Sequence, residues 1–456
     1  MKSNRKYSEE EIGLIVQNTL GKTFGELNNY ELKSFDKGSF GHIFEENVFD
    51  YAINNDSEPD FIDAGIELKV TPYKYNKKGT PVAKERLVLN IIDYMNEYKN
   101  EFITSHFWFK NNKLQIIWYL WEENKKQEDF RITHQVLLKL ENSKDLKQIK
   151  EDWNYIVTKI KEGKAHELSE ADTMYLGACT KGASSSSLRE QPFSKVKAKQ
   201  RAFCFKLSYM TQLVKEYIGK GKESESVLSE NESLSEHIVS VVNKYKNMSQ
   251  KELMNMFSIE SDSKNLNSMI VCRMFGIKGQ LEQTDEFLKA NIVPRTVRIE
   301  NNNRIKESMP FSAFDYCELA KEEWEDSELR NMFETTKYMF FVFKNNGEDY
   351  IFKGIKLWNM PESTIENEVK EVWTKTRDSI RNGNIVRDIN INGIRTTNFP
   401  GMKENDVCHV RPHARDAQDT FPLPVPDKLT GLTSYTKHCF WLNSRYVEQI
   451  LSDFFE

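Results

Sequence analysis

The sequence predicts a mixed α/β protein made of two tandem halves, and three observations carry that expectation. A length of 456 residues suits two domains of roughly 200 residues each better than one core. The stretch 223–236 holds five Glu, five Ser and no basic residue, a composition that cannot bury enough apolar surface to fold alone. On its two sides, landmarks recur in the same order. Glu128-Asp129-Phe130 leads to Lys150-Glu151-Asp152-Trp153 and Lys161-Glu162-Gly163, while Glu348-Asp349-Tyr350 leads to Lys370-Glu371-Val372-Trp373 and Arg381-Asn382-Gly383. The expected organisation is therefore a domain over 1–222, an acidic linker over 223–236 and a second domain over 237–456.

Taken in order, the elements fit a mixed sheet flanked by helices in each half. Ser8-x-x-Glu11 before Ile12, Ile15 and Val16 reads as a capping box that opens a helix. Ile66–Val70, Leu114–Trp121, Val136–Leu140, Tyr338–Phe343 and Tyr350–Leu357 are rich in β-branched and aromatic residues and short enough for strands. An amphipathic helix follows the strands of each half. Gln200–Phe205 with Tyr209 and Leu213, and Lys437–Trp441 with Tyr446 and Ile450, close each half with a strand and a helix.

Composition excludes several classes. With 39% hydrophobic and 29% charged residues the chain is neither fibrous nor disordered. No run approaches eighteen apolar residues, and the charges from Ser8 to Glu11 precede any apolar run, so neither membrane span nor signal peptide is expected and the place is the bacterial cytoplasm. Six cysteines without a C-x-x-C pair suit reduced thiols and no zinc ribbon. A net charge of -5 means that nucleic-acid binding must rest on local patches. Residues 181–222, with ten Lys or Arg against two Glu, form the first such patch.

The pattern that carries chemistry is Asp60, six residues, then Glu67-Leu68-Lys69. On a strand, Glu67 and Lys69 face one side because side chains alternate. Two carboxylates can hold Mg²⁺ against a scissile phosphate while an ammonium orients the nucleophile, which suits phosphodiester hydrolysis. Upstream stands Lys37-Gly38-Ser39-Phe40-Gly41-His42-Ile43-Phe44-Glu45, and around the pair Ala64-Gly65-Ile66-Glu67-Leu68-Lys69-Val70-Thr71-Pro72. With both blocks in order, the chain resembles the MutH family of GATC-specific endonucleases. Its double length resembles the Sau-type restriction enzymes of that family, through Glu85–Asn90, Gly163–Glu170, Cys179–Ala183, Lys321–Ser327 and Cys408–His413.

The resemblance implies two tandem restriction-endonuclease-like domains and a type II enzyme that binds double-stranded GATC and cuts 5′ of the G with Mg²⁺. Glu45, Asp60 and Glu67 would surround the metal, Lys69 would orient water, and Lys113 would be the family's further lysine near the phosphate. In the second half Cys272 falls where Glu45 stands, and Arg295-Thr296-Val297-Arg298 is expected in place of Glu67-Leu68-Lys69, leaving a DNA-binding copy without catalysis. The family's base-reading loop corresponds to Cys179-Thr180-Lys181 and Arg411-Pro412-His413, so Lys181 and Arg411 are the leading guanine readers. Phosphate contacts are expected from Arg189, Lys195, Lys197, Lys199, Arg201 and Lys206, with His413 and Lys437 beside Arg411. A family tyrosine tied to adenine methylation falls at Cys204, a departure from which no sensitivity to N6-methyladenine is expected.

One catalytic half per chain cuts one strand, which implies a dimer or looped complex on DNA, with the second half binding another GATC as effector and a cognate methyltransferase protecting host DNA. The rival functions are a mismatch-repair nickase and a non-catalytic DNA-binding sensor.

Overall fold

A computed structural model describes residues 6–28, 39–51, 58–181, 187–219, 224–261 and 263–455. The chain forms two units, Met1–His237 with Glu282–Asn291, and Ile238–Leu281 with Ile292–Glu456. The described part of the Ser/Glu-rich stretch is packed rather than free. Val227 and Leu234 are buried, and the Ser226 hydroxyl and Val227 amide both donate to the Glu286 carboxylate. Two apolar side chains and one matched acceptor thus anchor a segment whose composition alone reads as a linker.

In the first unit the capping box forms as expected: Ser8 and Glu11 cap the helix Glu9–Gln17 reciprocally, and Ile12 and Val16 face the core. Strands β1 (Glu67–Tyr75), β2 (Pro81–Ala83), β3 (Leu87–Ile91), β4 (Lys113–Leu120) and β5 (Arg131–Lys139) follow, then β6 (Leu176–Thr180), β7 (Leu188–Gln191), β8 (Ser194–Lys199) and β9 (Arg201–Phe205). The main sheet runs β2-β1-β4-β5, with β1 and β4 parallel. Leu114 to Tyr119 are all buried, the near-continuous burial of a strand covered on both faces. A smaller antiparallel sheet has the order β3-β9-β6, and β7-β8 is a hairpin. The helix Leu146–Lys161 buries Ile149, Trp153, Ile156 and Ile160 at helical spacing.

The second unit repeats the plan with β10 (Ile292–Ile299), β11 (Met309–Ala313), β12 (Lys337–Asn345), β13 (Tyr350–Trp358), β14 (Val386–Ile389) and β15 (Arg395–Thr397). β16 (Cys408–Pro412), β17 (Thr420–Pro422), β18 (Ser434–Thr436) and β19 (His438–Leu442) complete it. β10-β12-β13 matches β1-β4-β5, one parallel and one antiparallel pair, and β11-β19-β16 matches β3-β9-β6. Each central strand shifts register against its antiparallel partner at the same point, between Trp118 and Tyr119 of β4 opposite an extra Thr133 in β5, and between Val342 and Phe343 of β12 opposite an extra Lys353 in β13.

Bulge on bulge, Leu114 answers Tyr338; their parallel partners are Glu67 and Val293, so those two are equivalent and Lys69 answers Arg295. This corrects the expected placement of Arg295–Arg298 over Glu67–Lys69 by two positions. The same procedure on the smaller sheets makes Cys204 equivalent to Trp441, Cys179 to Arg411 and Thr180 to Pro412. Among the described residues no helix is long and apolar enough to cross a membrane.

Candidate active site

The spacing of Asp60 and Glu67 has a local cause. Phe61 and Ile66 exchange backbone hydrogen bonds of 2.9 and 3.2 Å, closing a tight reversal in which Gly65 takes φ +65°. The reversal returns the chain on itself, so Asp60 lies beside the first residues of β1. Its amide donates to Glu67 Oε2 at 3.3 Å, and its Oδ2 accepts from the Leu68 amide at 2.8 Å. Lys69, one pleat on, donates from Nζ to Glu67 Oε1 at 2.8 Å and to the Leu89 carbonyl at 3.4 Å. Glu45 stands half-buried on the π-helical turn Phe44–Val48, close enough to Glu67 and Lys69 to feel both charges.

Burial, and next the charge of Glu67, pushes the Asp60 carboxyl up to about 7. Burial raises Glu45 as well, with Glu67 acting in the same direction. Two carboxyls that resist ionisation beside the Glu67 charge are what a hard divalent cation relieves, and oxygen donors suit Mg²⁺. Among the described residues no three acidic, His or Cys side chains enclose an ion by themselves. Mg²⁺ takes one or two carboxylates and fills its remaining positions with water and substrate phosphate oxygens, so Asp60 and Glu67, with Glu45 near them, are the residues that could hold such a cation.

Lys113, expected as the further lysine, pairs with Glu9 rather than with Glu67. Lys113 lies at the start of β4, 3.5 Å from Glu9 Oε2 and 3.4 Å from the Ala64 carbonyl. Lys110 occupies the site instead: its Nζ is 3.5 Å from Glu67 Oε2 and donates to the Glu58 carbonyl at 2.8 Å. The helix His106–Asn111, capped by the Ser105 hydroxyl on the Trp108 amide, carries it there. Ser105 as an N-cap is the signal that could have placed Lys110 within a helix whose last turn faces β1.

The expected DNA contacts separate into exposed and buried groups. Lys181, Arg189, Lys195 and Lys197 are exposed, the last three on the β7-β8 hairpin, where Lys197 pairs with Glu190 at 2.9 Å; Lys199 is half-buried at the hairpin's end. Arg201 and Lys206 are buried, 4% and 3% exposed, and cannot reach a phosphate. Arg201 donates to the Ala178 carbonyl at 2.8 Å, and Lys206 donates to the Thr173 carbonyl beside the fully buried Asp152. Their charges serve the fold. In the second unit Arg411 lies exposed with its guanidinium 3.7 Å from the Trp441 ring centre, His413 edges the same ring at 5.3 Å, and Lys437 pairs with Asp419 at 2.6 Å. Trp441, the equivalent of Cys204, is the platform that sequence reasoning did not single out.

Residues 49–152 match the family described as DNA mismatch repair enzyme MutH. Over 475 aligned positions, covering 96% of this chain and 97% of the relative, the sequence is 36% identical to the type II restriction enzyme Sau3AI of Staphylococcus aureus.

Proposed function

The chain belongs to the MutH-related family of type II restriction enzymes and is a site-specific deoxyribonuclease, and from that premise we propose that it cleaves double-stranded GATC 5′ of the G with Mg²⁺. The observation that carries the proposal is the gathering of Asp60, Glu67, Lys69 and Lys110 at one end of β1.

Bound there, Mg²⁺ would draw charge from the scissile phosphate and acidify a water. The chain's own groups do the rest. Glu67 and Asp60 supply the anionic oxygens, and Leu68's amide holds the Asp60 carboxylate in place at 2.8 Å. Lys69, tied to Glu67 and the Leu89 carbonyl, keeps an ammonium hydrogen toward the attacking oxygen. Lys110 adds a second positive charge to offset what develops on the phosphate.

Lys181 and the hairpin residues Arg189, Lys195 and Lys197 would hold the duplex beside this site, and Arg411 would read guanine for the second unit. With one such centre per chain, a double-strand break calls for two chains or two events, so association on DNA is expected. The second unit would bind another GATC as effector, and a methyltransferase would protect host DNA.

The test is a plasmid bearing several GATC sites, incubated with Mg²⁺, with EDTA and with Glu67→Ala, and the ends mapped. Double-strand cuts at GATC with four-base 5′ overhangs, lost in both controls, are expected. Single-strand nicks alone would favour a repair nickase, and intact plasmid with retained binding would reduce the protein to a DNA-binding sensor.

A further inference from the structure

The second unit contains a cleft of about 510 Å³ between β10, β11 and the start of the helix Leu266–Met274. It occupies the place that the active site holds in the first unit, because β10 and β11 are the equivalents of β1 and β3. Its chemistry is inverted. Val293 replaces Glu67 in the strand register, and the cleft is lined by Lys264, Arg295, Arg298 and Lys306 against Glu300 and Glu307. Glu300 is already engaged, accepting from the Tyr350 hydroxyl at 3.0 Å and lying 3.5 Å from Lys306. Among the described residues neither Arg295 nor Arg298 pairs with a carboxylate. Arg295 donates to its neighbour's Pro294 carbonyl at 3.0 Å, and Arg298 lies 5.8 Å from the Tyr350 ring centre.

We propose that this cleft is a metal-independent phosphate site that takes a backbone phosphodiester of duplex DNA on Arg295 and Arg298. Arg295 stands at the strand position of Lys69, the lysine proposed to orient the attacking water in the first unit. A guanidinium fork matches two phosphate oxygens, and Arg295 and Arg298, which alternation sets on opposite faces of the edge strand β10, both line the cleft and supply directly the charge that carboxylates need a cation to supply. The Tyr350–Glu300 hydrogen bond occupies one acid of the lining and leaves the arginines to the ligand. No hydrolysis is expected there, since Val293 stands where Glu67 does and supplies no oxygen to a cation. The inference rests on the proposal that the second unit binds DNA and adds where and how it does so.

The experiment uses the full chain in EDTA with a short fluorescent GATC duplex, following anisotropy and stoichiometry from low to moderate salt. Wild-type protein is expected to bind a second equivalent of duplex without any divalent cation. Arg295→Ala with Arg298→Ala should weaken that equivalent about 10-fold or more and flatten its log K against log salt slope by about 0.9, the value for one phosphate no longer neutralised. Arg295→Lys with Arg298→Lys, which keeps the charge, should retain the slope and confirm that the alanine effect is not misfolding. A second equivalent bound with unchanged affinity and slope in the alanine variant would overturn the phosphate site alone. Failure of the wild-type chain to take a second equivalent would overturn the effector reading and this proposal with it.

Discussion

The two sites stand at the same place in two copies of one sheet plan, yet one gathers carboxylates and lysines and the other presents two arginines that pair with no carboxylate among the described residues. β1 and β10 each run parallel to a central strand whose antiparallel pairing shifts register at the same point, so the backbone does not distinguish them. What differs is a few side chains: Glu67 against Val293 and Lys69 against Arg295. On the proposals above, the first set would gather a cation before meeting a phosphate and the second would meet it unaided. A fold supplies positions, and the charges placed on them decide between chemistry and binding.

The sharpest way to break this comparison is Glu67→Ala. Cleavage is expected to fall on the order of 1000-fold or more, since the change removes the main cation ligand, while DNA binding in EDTA persists. Mapped cuts that survived the change would move the chemistry out of the first unit and end the contrast.

A second contrast is in pH response. His438, on β19 of the second unit, is 2% exposed, and burial lowers its pKa to about 4. The neutral ring is therefore the folded form's preference: its stabilising share is present above pH ~6.5 and is lost as pH falls toward 4. Between pH 7 and 4.5 wild-type protein should lose about 2 kcal/mol more stability than His438→Gln in urea melts monitored by tryptophan fluorescence. Equal losses in the two proteins would remove His438 as the acid-sensitive group.

Lys110→Ala should slow single-turnover cleavage about 100-fold, whereas Lys113→Ala should stay within about 2-fold, its partners being Glu9 and a carbonyl away from Glu67. The reverse order would restore Lys113 to the site. The smallest effect is expected on the β7-β8 hairpin: Lys195→Ala should reduce affinity a few-fold and the salt slope by about 0.9, without changing the melting temperature. Lys206→Ala, by contrast, should destabilise the fold, because it leaves Asp152 fully buried with one cation fewer.

Much of the catalytic half was legible because its signals are local. Period-two alternation along β1 puts Glu67 and Lys69 on one face, the six-residue spacing to Asp60 is the length of the Phe61–Ile66 reversal, and Ser8-x-x-Glu11 caps a helix wherever it lies. Spacing of this kind survives in a string of letters because backbone geometry repeats it faithfully.

Tertiary structure decided what depends on neighbours far along the chain. Lys110 and Lys113 look alike in sequence; a helix approaching β1 sends one to Glu67 and the strand that follows sends the other to Glu9. Arg201 and Lys206 belong to a basic row by composition, but β9 is the central strand of its sheet, so burial turns them inward to carbonyls while the hairpin keeps its own charges in water. The equivalence of Arg295 to Lys69 rests on a register shift along the adjacent strand, which no residue count in the loops before it can locate. Residue order therefore determined which groups could do chemistry, and pairing and burial determined which of them meet.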